Sequence, residues 1–451
     1  MANSHQAPKG TRDFYPADMA VRRHIEAAWR GASIRHGFDE IDGPTFEHLG
    51  LYTVKSGEGI VNELFSFRRA GGENDYALRP EFTPTLARMV AARGSALPVP
   101  TKWFAVPNFF RAERPQRGRL REFFQWNVDL LGLDTPGADS EVIGTAIAAL
   151  EALGLKQGDV TVKLSHRGAV AGALRAVGVP DEQLGAAFAL LDRRDKLPPE
   201  EFAKRAAALG ATGDLGEAIT RLARATAPAS AGLDGLARDV GVPAAELGAL
   251  EALRDALRAA GIEDWCQWDC GIVRGLAYYT GVVFEIHAAG ERAVAGGGRY
   301  DGLVELFGGP HTPAVGFGMG DVVLGNLLRD KGLLPADGME LLPRPDVFVV
   351  AANDAAAAQM PSIVSSLRRA GLHARHSYKA TRNVGKLLGE AGKSRARFAV
   401  ILGDGCVGAG AGGGTGAGMG EVPGGIVQLK DLGSGEQREL PMSELISALK
   451  S

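Results

Sequence analysis

Apolar positions along this chain change their period several times, and the changes divide it. From Asp18 to His36 the spacing is helical, and the stretch that follows to Phe46 reads as a strand that contains Pro44. Tyr76–Leu78 and Trp103–Val106 read as strands. Trp103, Phe104, Phe109 and Phe110 precede a dense charged run, and Phe123, Phe124 and Trp126 follow it, which predicts a hairpin running on into Trp126–Leu131. Ala138–Leu153 predicts an amphipathic helix with Asp139 as its cap, and Thr161–Leu164 a short strand.

From about Gly168 to Gly261 the chain is Ala, Leu, Arg and Glu at helical spacing, broken by Pro180, Pro198-Pro199, Gly213 and Pro243. This predicts short helices inserted between two halves of a larger sheet. Strand alternation returns at Gly281–His287, a glycine-rich turn covers Ala295–Gly302, and Ala314–Leu328 looks like a strand running into a helix. Pro343 and Pro345 mark a linker. Beyond it strands at Val347–Ala351, His373–Tyr378 and Phe398–Leu402 alternate with helices at Ala355–Ala370 and Asn383–Ala391, a βαβ pattern. Gly405–Gly425 is low-complexity glycine, and a strand at Gly425–Leu429 and a helix at Met442–Leu449 close the chain. The fold class expected is a mixed α/β (α+β) one.

A length of 451 residues allows about two to four domains, and 45% hydrophobic with 23% charged residues supplies an ordinary core. Met1–Lys9 lacks the apolar centre of a secretion signal, and no stretch approaches the roughly 18 apolar residues of a membrane span, so a soluble, cytoplasmic protein with no membrane partner is expected. The three cysteines, Cys266, Cys270 and Cys406, exclude a disulfide scaffold, and Cys-x3-Cys without further ligands is a poor zinc site. The net charge of −3 argues against a uniformly basic nucleic-acid binder. The charge is unevenly placed, however: residues 343–451 hold thirteen Lys and Arg against nine Asp and Glu. Within Arg375–Arg397 seven basic residues face the single acid Glu390, a band suited to a polyanion docked on one face.

The charged run contains five arginines in the eleven residues Arg111–Arg121. Guanidinium groups this dense repel one another unless they grip an anion, and their fork suits phosphate, so the hairpin is expected to bind a nucleotide. Glu81 and Thr83, two residues apart at the end of a predicted strand, can hold an ammonium group between a carboxylate and a hydroxyl. Arg274 precedes Tyr278 and Tyr279, whose flat rings and hydroxyls suit a planar polar ring. The glycines of Ala295–Gly302 let a ligand approach the backbone, although their spacing is not that of a dinucleotide fingerprint and no P-loop occurs.

These segments together resemble the histidyl-tRNA synthetase family of class II aminoacyl-tRNA synthetases over almost the whole length. Pro8-Lys9-Gly10-Thr11-Arg12-Asp13-Phe14 looks like the family's N-terminal signature, and the helix and strand through Gly43-Pro44 look like motif 1, which implies a homodimer. Phe110–Gln125 looks like motif 2, Val273–Gly281 and Ala295–Gly302 like the two histidine-specific motifs, and Ala314–Gly320 like the start of motif 3. The resemblance implies a class II antiparallel sheet with flanking helices. It implies a catalytic domain in two parts, 1–167 and 261–335, a helical insertion at 168–260, and an anticodon-binding domain at 343–451. The implied substrates are L-histidine, ATP and tRNA(His).

Carried across by position, the resemblance assigns Arg111 and Arg274 to the α-phosphate as catalytic cations, with Arg111 also on the histidine carboxylate. Glu113 would take the adenine amino group, while Arg119 and Arg121 are expected on ATP from their place in the arginine-rich hairpin rather than from the resemblance. Glu81 and Thr83 would take the α-amino group, while Gln125, Asp129, Tyr278 and Tyr279 would line the imidazole pocket. Gln116 and Arg117, at the loop tip, would meet tRNA, and Mg²⁺ would sit on the ATP phosphates rather than in a protein cage. No editing domain is seen, and a site with buried partners for both ring nitrogens needs none.

Three positions depart from the family pattern. The Glu-Arg pair expected in motif 3, whose Arg binds ATP, is Val322-Val323; the expected compensation is by Arg117, Arg119 or Arg121. The usual Asp before the paired tyrosines is Ala277, and the acid near the imidazole is Asp129 rather than a Glu. The loss at Val323 also fits another reading, a non-catalytic histidine sensor similar to the regulatory subunit of ATP phosphoribosyltransferase. The intact motif 2 and the basic C-terminal domain weigh for the synthetase.

Overall fold

One strand, Glu122–Leu131, organises the larger part of the molecule through simple alternation. Trp126, Val128 and Leu130 enter the main apolar core, while Gln125, Asn127 and Asp129 point to the opposite face. In the computed structural model, which describes residues 5–56, 63–194, 197–209, 215–240, 244–273, 278–407 and 425–451, this strand lies within a ten-stranded sheet. Thr101–Ala105 pairs with it antiparallel on one side and Ala314–Gly320 on the other. Beyond Ala314–Gly320 come Ala295–Arg299, Val282–His287 and Thr161–His166, each antiparallel to the one before.

The helices Pro16–Arg35, Pro136–Ala152 and Asp321–Asp330 cover one face of this sheet. Trp29 stacks on Trp126 at 6.0 Å, and the Trp126 indole N–H donates to Ser33 at 2.9 Å, so both rings are buried with one polar atom matched. The helix Thr83–Arg93 and the short helix Leu303–Leu306 pack on the other face through Phe82, Leu86, Val90, Leu303 and Val304. They cover it only in part, and the uncovered part holds the site.

The chain divides into two compact units, residues 1–341 and 342–451. The helices expected as an insertion do form, among them Arg167–Ala176, Leu215–Arg224 and Ala244–Ala259, and they lie within the first unit: Phe202, Leu222 and Leu253 share one core with Trp126. That stretch also supplies a strand that helical spacing did not suggest, Thr226–Pro228, paired to Cys266–Asp269 at the sheet edge, where a proline costs no ladder bond. The second unit carries the expected parallel strands Val347–Ala351, Ala374–His376 and Phe398–Leu402, then two antiparallel ones, Ile426–Asp431 and Gln437–Pro441. Gln437–Pro441 was not anticipated, because its outward positions are polar and only Leu440 is buried. Among the described residues no helix is long and apolar enough to cross a membrane.

Two local expectations are corrected. Ala295–Arg299 is a strand rather than a turn, because its glycines lie in register against strands on both sides. The helix at Pro136 is capped by Thr135, whose hydroxyl accepts from Ala138 N, and not by Asp139. Asp139 is buried and takes Arg299 Nη2 at 2.8 Å, while Arg299 also donates to the carbonyls of Leu133 and Thr135. This pair bolts the start of the helix to the end of a central strand. Replacing Asp139 with Ala leaves a buried cation short of a partner, and we expect a loss of about 3 kcal/mol in urea denaturation. The double replacement D139L/R299M should recover much of that loss.

Candidate functional site

The site begins as an absence of side chains. Gly316 lies opposite Asp129 and Gly298, and Gly318 opposite Asn127 and Gly296, so two neighbouring strands present a bare patch of backbone beside the polar side chains of a third. At three of these glycines a Cβ meets an obstacle. At Gly316 it falls 2.0 Å from an Asp129 carboxylate oxygen, and at Gly318 1.9 Å from the Gln125 amide nitrogen. At Gly298, whose φ is +158°, it falls 2.5 Å from the Val282 carbonyl. The glycines thus admit the side chains of Gln125 and Asp129 over the sheet and leave a hollow beside them.

Around this floor stand Glu81, Thr83, Arg111, Gln125, Asn127, Asp129, Tyr278, Tyr279 and Tyr300, which enclose about 80 Å³. Seven residues singled out in the sequence therefore line one cavity. Glu81 and Thr83 reach it differently from expectation: the strand ends at Leu78, and Thr83 opens the helix Thr83–Arg93 without making a side-chain cap. Tyr278 and Tyr279 precede the strand Val282–His287 and lie 4.6 Å apart between ring centres, with Tyr278 edge-on to Tyr300 at 6.0 Å. The Tyr300 hydroxyl donates to Asp129. Burial pushes the Asp129 carboxyl up to about 7, against the pull of that hydrogen bond. The carboxyl thus sits where a small change in pH decides whether it accepts or donates a hydrogen bond.

A second hollow, a groove of about 850 Å³, adjoins the first, and Arg111 lines both. Its Nε donates to the Pro80 carbonyl at 3.1 Å and its guanidinium lies 5.2 Å from the Phe123 ring centre, which fixes its direction. The groove is also lined by Arg119, Arg194, Arg292, Glu285, His287, Glu291, Val322 and Val323. Among the described residues no group of three or more His, Cys, Asp or Glu could hold a metal ion. Cys266 and Cys270 are buried thiols pushed up to about 12 by desolvation.

The arginine-rich run forms the expected hairpin: Phe110 pairs with Glu122, and Gln116 and Arg119 exchange backbone hydrogen bonds around Gly118. Its cations are not all turned to the groove. Arg117 pairs with Glu291 at 2.5 Å and Asp330 at 2.7 Å, Arg119 pairs with Glu113, and Arg121 donates to the carbonyls of Glu113 and Lys9. The Gly10 carbonyl accepts from the backbone N–H of both Arg121 and Glu122, and a Cβ at Gly10 would lie 2.7 Å from Pro115. Arg12 meets Asp321 at 2.7 Å, whose other oxygen takes the Phe124 N–H at 2.9 Å. The N-terminal segment therefore clamps the hairpin base.

Arg274 and Ala277 lie outside the described residues; in sequence, Arg274 falls between Val273, which lines the groove, and Tyr278, which lines the cavity. Asn127, Tyr300, Asp321 and Arg292 were not picked out from the sequence. Asn127 could have been, since it shares the alternation of Gln125 and Asp129. Asp321 carried no signal, because its partner lies 309 residues away.

Residues 10–320 match the family model for histidyl-tRNA synthetase and residues 346–451 that for an anticodon binding domain. The Histidine--tRNA ligase of Opitutus terrae is 38% identical over 444 residues, 98% of this chain and 97% of the relative. That of Natronomonas pharaonis is 36% identical over 440 residues, 96% of this chain and 95% of the relative. A crystal structure of histidyl-tRNA synthetase from Nostoc sp. PCC 7120 shares the fold, with a TM-score of 0.77 at 23% identity and coverage of 99% of both chains. The chain belongs to the histidyl-tRNA synthetase family, within the aminoacyl-tRNA ligases.

Two outcomes are expected if the small cavity is where histidine binds. Histidine affinity, followed by calorimetry, should fall between about pH 8 and about pH 6 as Asp129 takes up its proton, and Asp129→Asn should flatten that dependence once the ligand's own titration is allowed for. Gly316→Ala should weaken histidine binding by at least about tenfold, because the added methyl group displaces Asp129 or the neighbouring strand.

Proposed function

We propose that this chain activates L-histidine with ATP to form histidyl-adenylate and passes the histidyl group to the 3′ end of tRNA(His). The observation that carries the reading is Arg111, which lines both the small polar cavity and the nucleotide-sized groove. A carboxylate held in the first and a triphosphate in the second meet at this side chain. The histidine carboxylate then attacks the α-phosphorus, the bond to the bridging oxygen of the β-phosphate breaks, and pyrophosphate leaves. Negative charge shifts across the α-phosphate in that step, so a fixed guanidinium there stabilises the transition state more than the ground state.

Tyr278, Tyr279 and Gln125 would wall the imidazole, with Asp129 accepting from a ring N–H, while Glu81 and Thr83 receive the α-ammonium. Glu113, now held by Arg119, would share its carboxylate with the adenine amino group. Arg274 would reach the same phosphorus from the other side. Gln116 and Arg117, at the exposed hairpin tip, would meet the tRNA acceptor end. Mg²⁺ would enter with the ATP phosphates, and the groove carboxylates that could approach it are Asp192, Glu285 and Glu291, of which Glu291 already pairs with Arg117 and Glu285 with His287.

In the C-terminal unit, the ring of Tyr378 is 88% exposed and packs against His376 at 4.4 Å within the basic band, a surface on which an unpaired base can stack. A homodimer is supported by the three-stranded sheet that includes Phe46–His48. There Phe46, Phe67 and Tyr76 form a mutual aromatic cluster, with Phe46 49% and Phe67 43% exposed.

The deciding measurement is histidine-dependent ATP–pyrophosphate exchange, followed by charging of tRNA. Both are expected, and Arg111→Ala should lower the exchange rate by about 10²- to 10³-fold. Histidine binding without exchange would instead favour the sensor reading. In sedimentation, F46E/F67E should convert a dimer to monomers.

A further inference from the structure

ATP carries close to four negative charges, and among the described residues the groove proposed for it is lined by four arginines: Arg111, Arg119, Arg194 and Arg292. Two of these are already matched. Arg119 pairs with Glu113, and Arg194 lies 2.8 Å from the Asp269 carboxylate while filling the space over Gly271. Arg111 is engaged where the groove meets the small cavity. Arg292 has no carboxylate partner among the described residues, although Glu291 is its neighbour in sequence, because Arg117 holds that acid at 2.5 Å. The two other hairpin arginines considered for the distal phosphates, Arg117 and Arg121, do not line the groove.

Position strengthens the case. Arg292 sits in the tight connection between Val282–His287 and Ala295–Arg299, which is closed by Val294 N to Ile286 O at 2.7 Å. The Arg117–Glu291 pair ties this connection to the hairpin tip. A Cβ built on Gly118 at that tip would lie 3.2 Å from Val323 and 3.6 Å from the Arg292 side chain, so Arg292 and Val323 flank the same point. An apolar Val323 cannot neutralise phosphate, and the cation beside it can. We infer that Arg292 is an ATP-binding residue that neutralises the β- and γ-phosphates in place of a cation at position 323. The inference rests on the reading that ATP occupies this groove. By the same geometry, Arg117 serves ATP indirectly, by keeping Glu291 from capturing Arg292.

The test compares wild type, Arg292→Ala, Arg292→Gln and Arg292→Lys in the full chain, with ATP affinity measured by calorimetry and ATP–pyrophosphate exchange measured beside it. Losing one charge-assisted phosphate contact should raise the ATP Kd and the KM for ATP and for pyrophosphate by about tenfold in the Ala and Gln variants. The KM for histidine should stay within about twofold, and Lys should recover part of the loss. Unchanged ATP Kd and pyrophosphate KM in both neutral variants would overturn the inference, as would a fall in rate alone. A wild-type protein that binds ATP through Arg292 but shows no exchange would uphold this assignment while removing the synthetase reading. Failure of the wild type to bind ATP would remove both.

Discussion

Everything in the catalytic unit depends on one steric constraint: the sheet must be bare where the ligand lies. Strands normally bury a side chain at every second position, and here Gly296, Gly298, Gly316 and Gly318 supply none on that face. The opposite face of the same strands compensates, with Val315, Phe317 and Met319 packed against Trp126 and its neighbours. The unit therefore gains its packing on one side of a single sheet and keeps the other side open for chemistry. The walls of the hollow then need only stand at its rim, on strands and helix ends already fixed by that core.

Electrostatics in the groove follow a similar economy. A hairpin with five arginines would repel itself, and the structure resolves this by sharing cations among Glu113, Glu291, Asp330 and backbone carbonyls. The charge left for a ligand is thus smaller than the composition suggests, and better aimed. Arg111 owes its direction to the Pro80 carbonyl and the Phe123 ring rather than to an acid, so its charge is not cancelled before the ligand arrives.

Much of this was legible in the sequence. The apolar run into Trp126–Leu131 announced a strand leaving the hairpin, and seven of the residues around the small cavity stood out by type and spacing, while Asn127 and Tyr300 did not. What could not be read were relations between distant positions. That Asp139 pairs with Arg299 instead of capping a helix depends on where a strand ends, and that Ala295–Arg299 is a strand depends on neighbours in register on both sides. Glycine has no strand propensity, so local preference pointed to a turn and the sheet overruled it. The partners of Arg117 and Arg121 were equally invisible, since charge density shows how many cations there are but not what each one faces.

The glycine floor also limits how this pocket can change over time. Any substitution that replaces a glycine introduces a β-carbon, so there is no mild step at Gly316 or Gly298, where each replacement collides with backbone or a buried carboxylate. If this cavity holds the amino acid, drift toward a different one proceeds through the rim, at residues such as Gln125, Asp129 or Tyr278, while the glycine floor stays locked. A laboratory effort to retune this pocket for an unnatural histidine analogue would face the same asymmetry, with the walls open to variation and the floor closed to it.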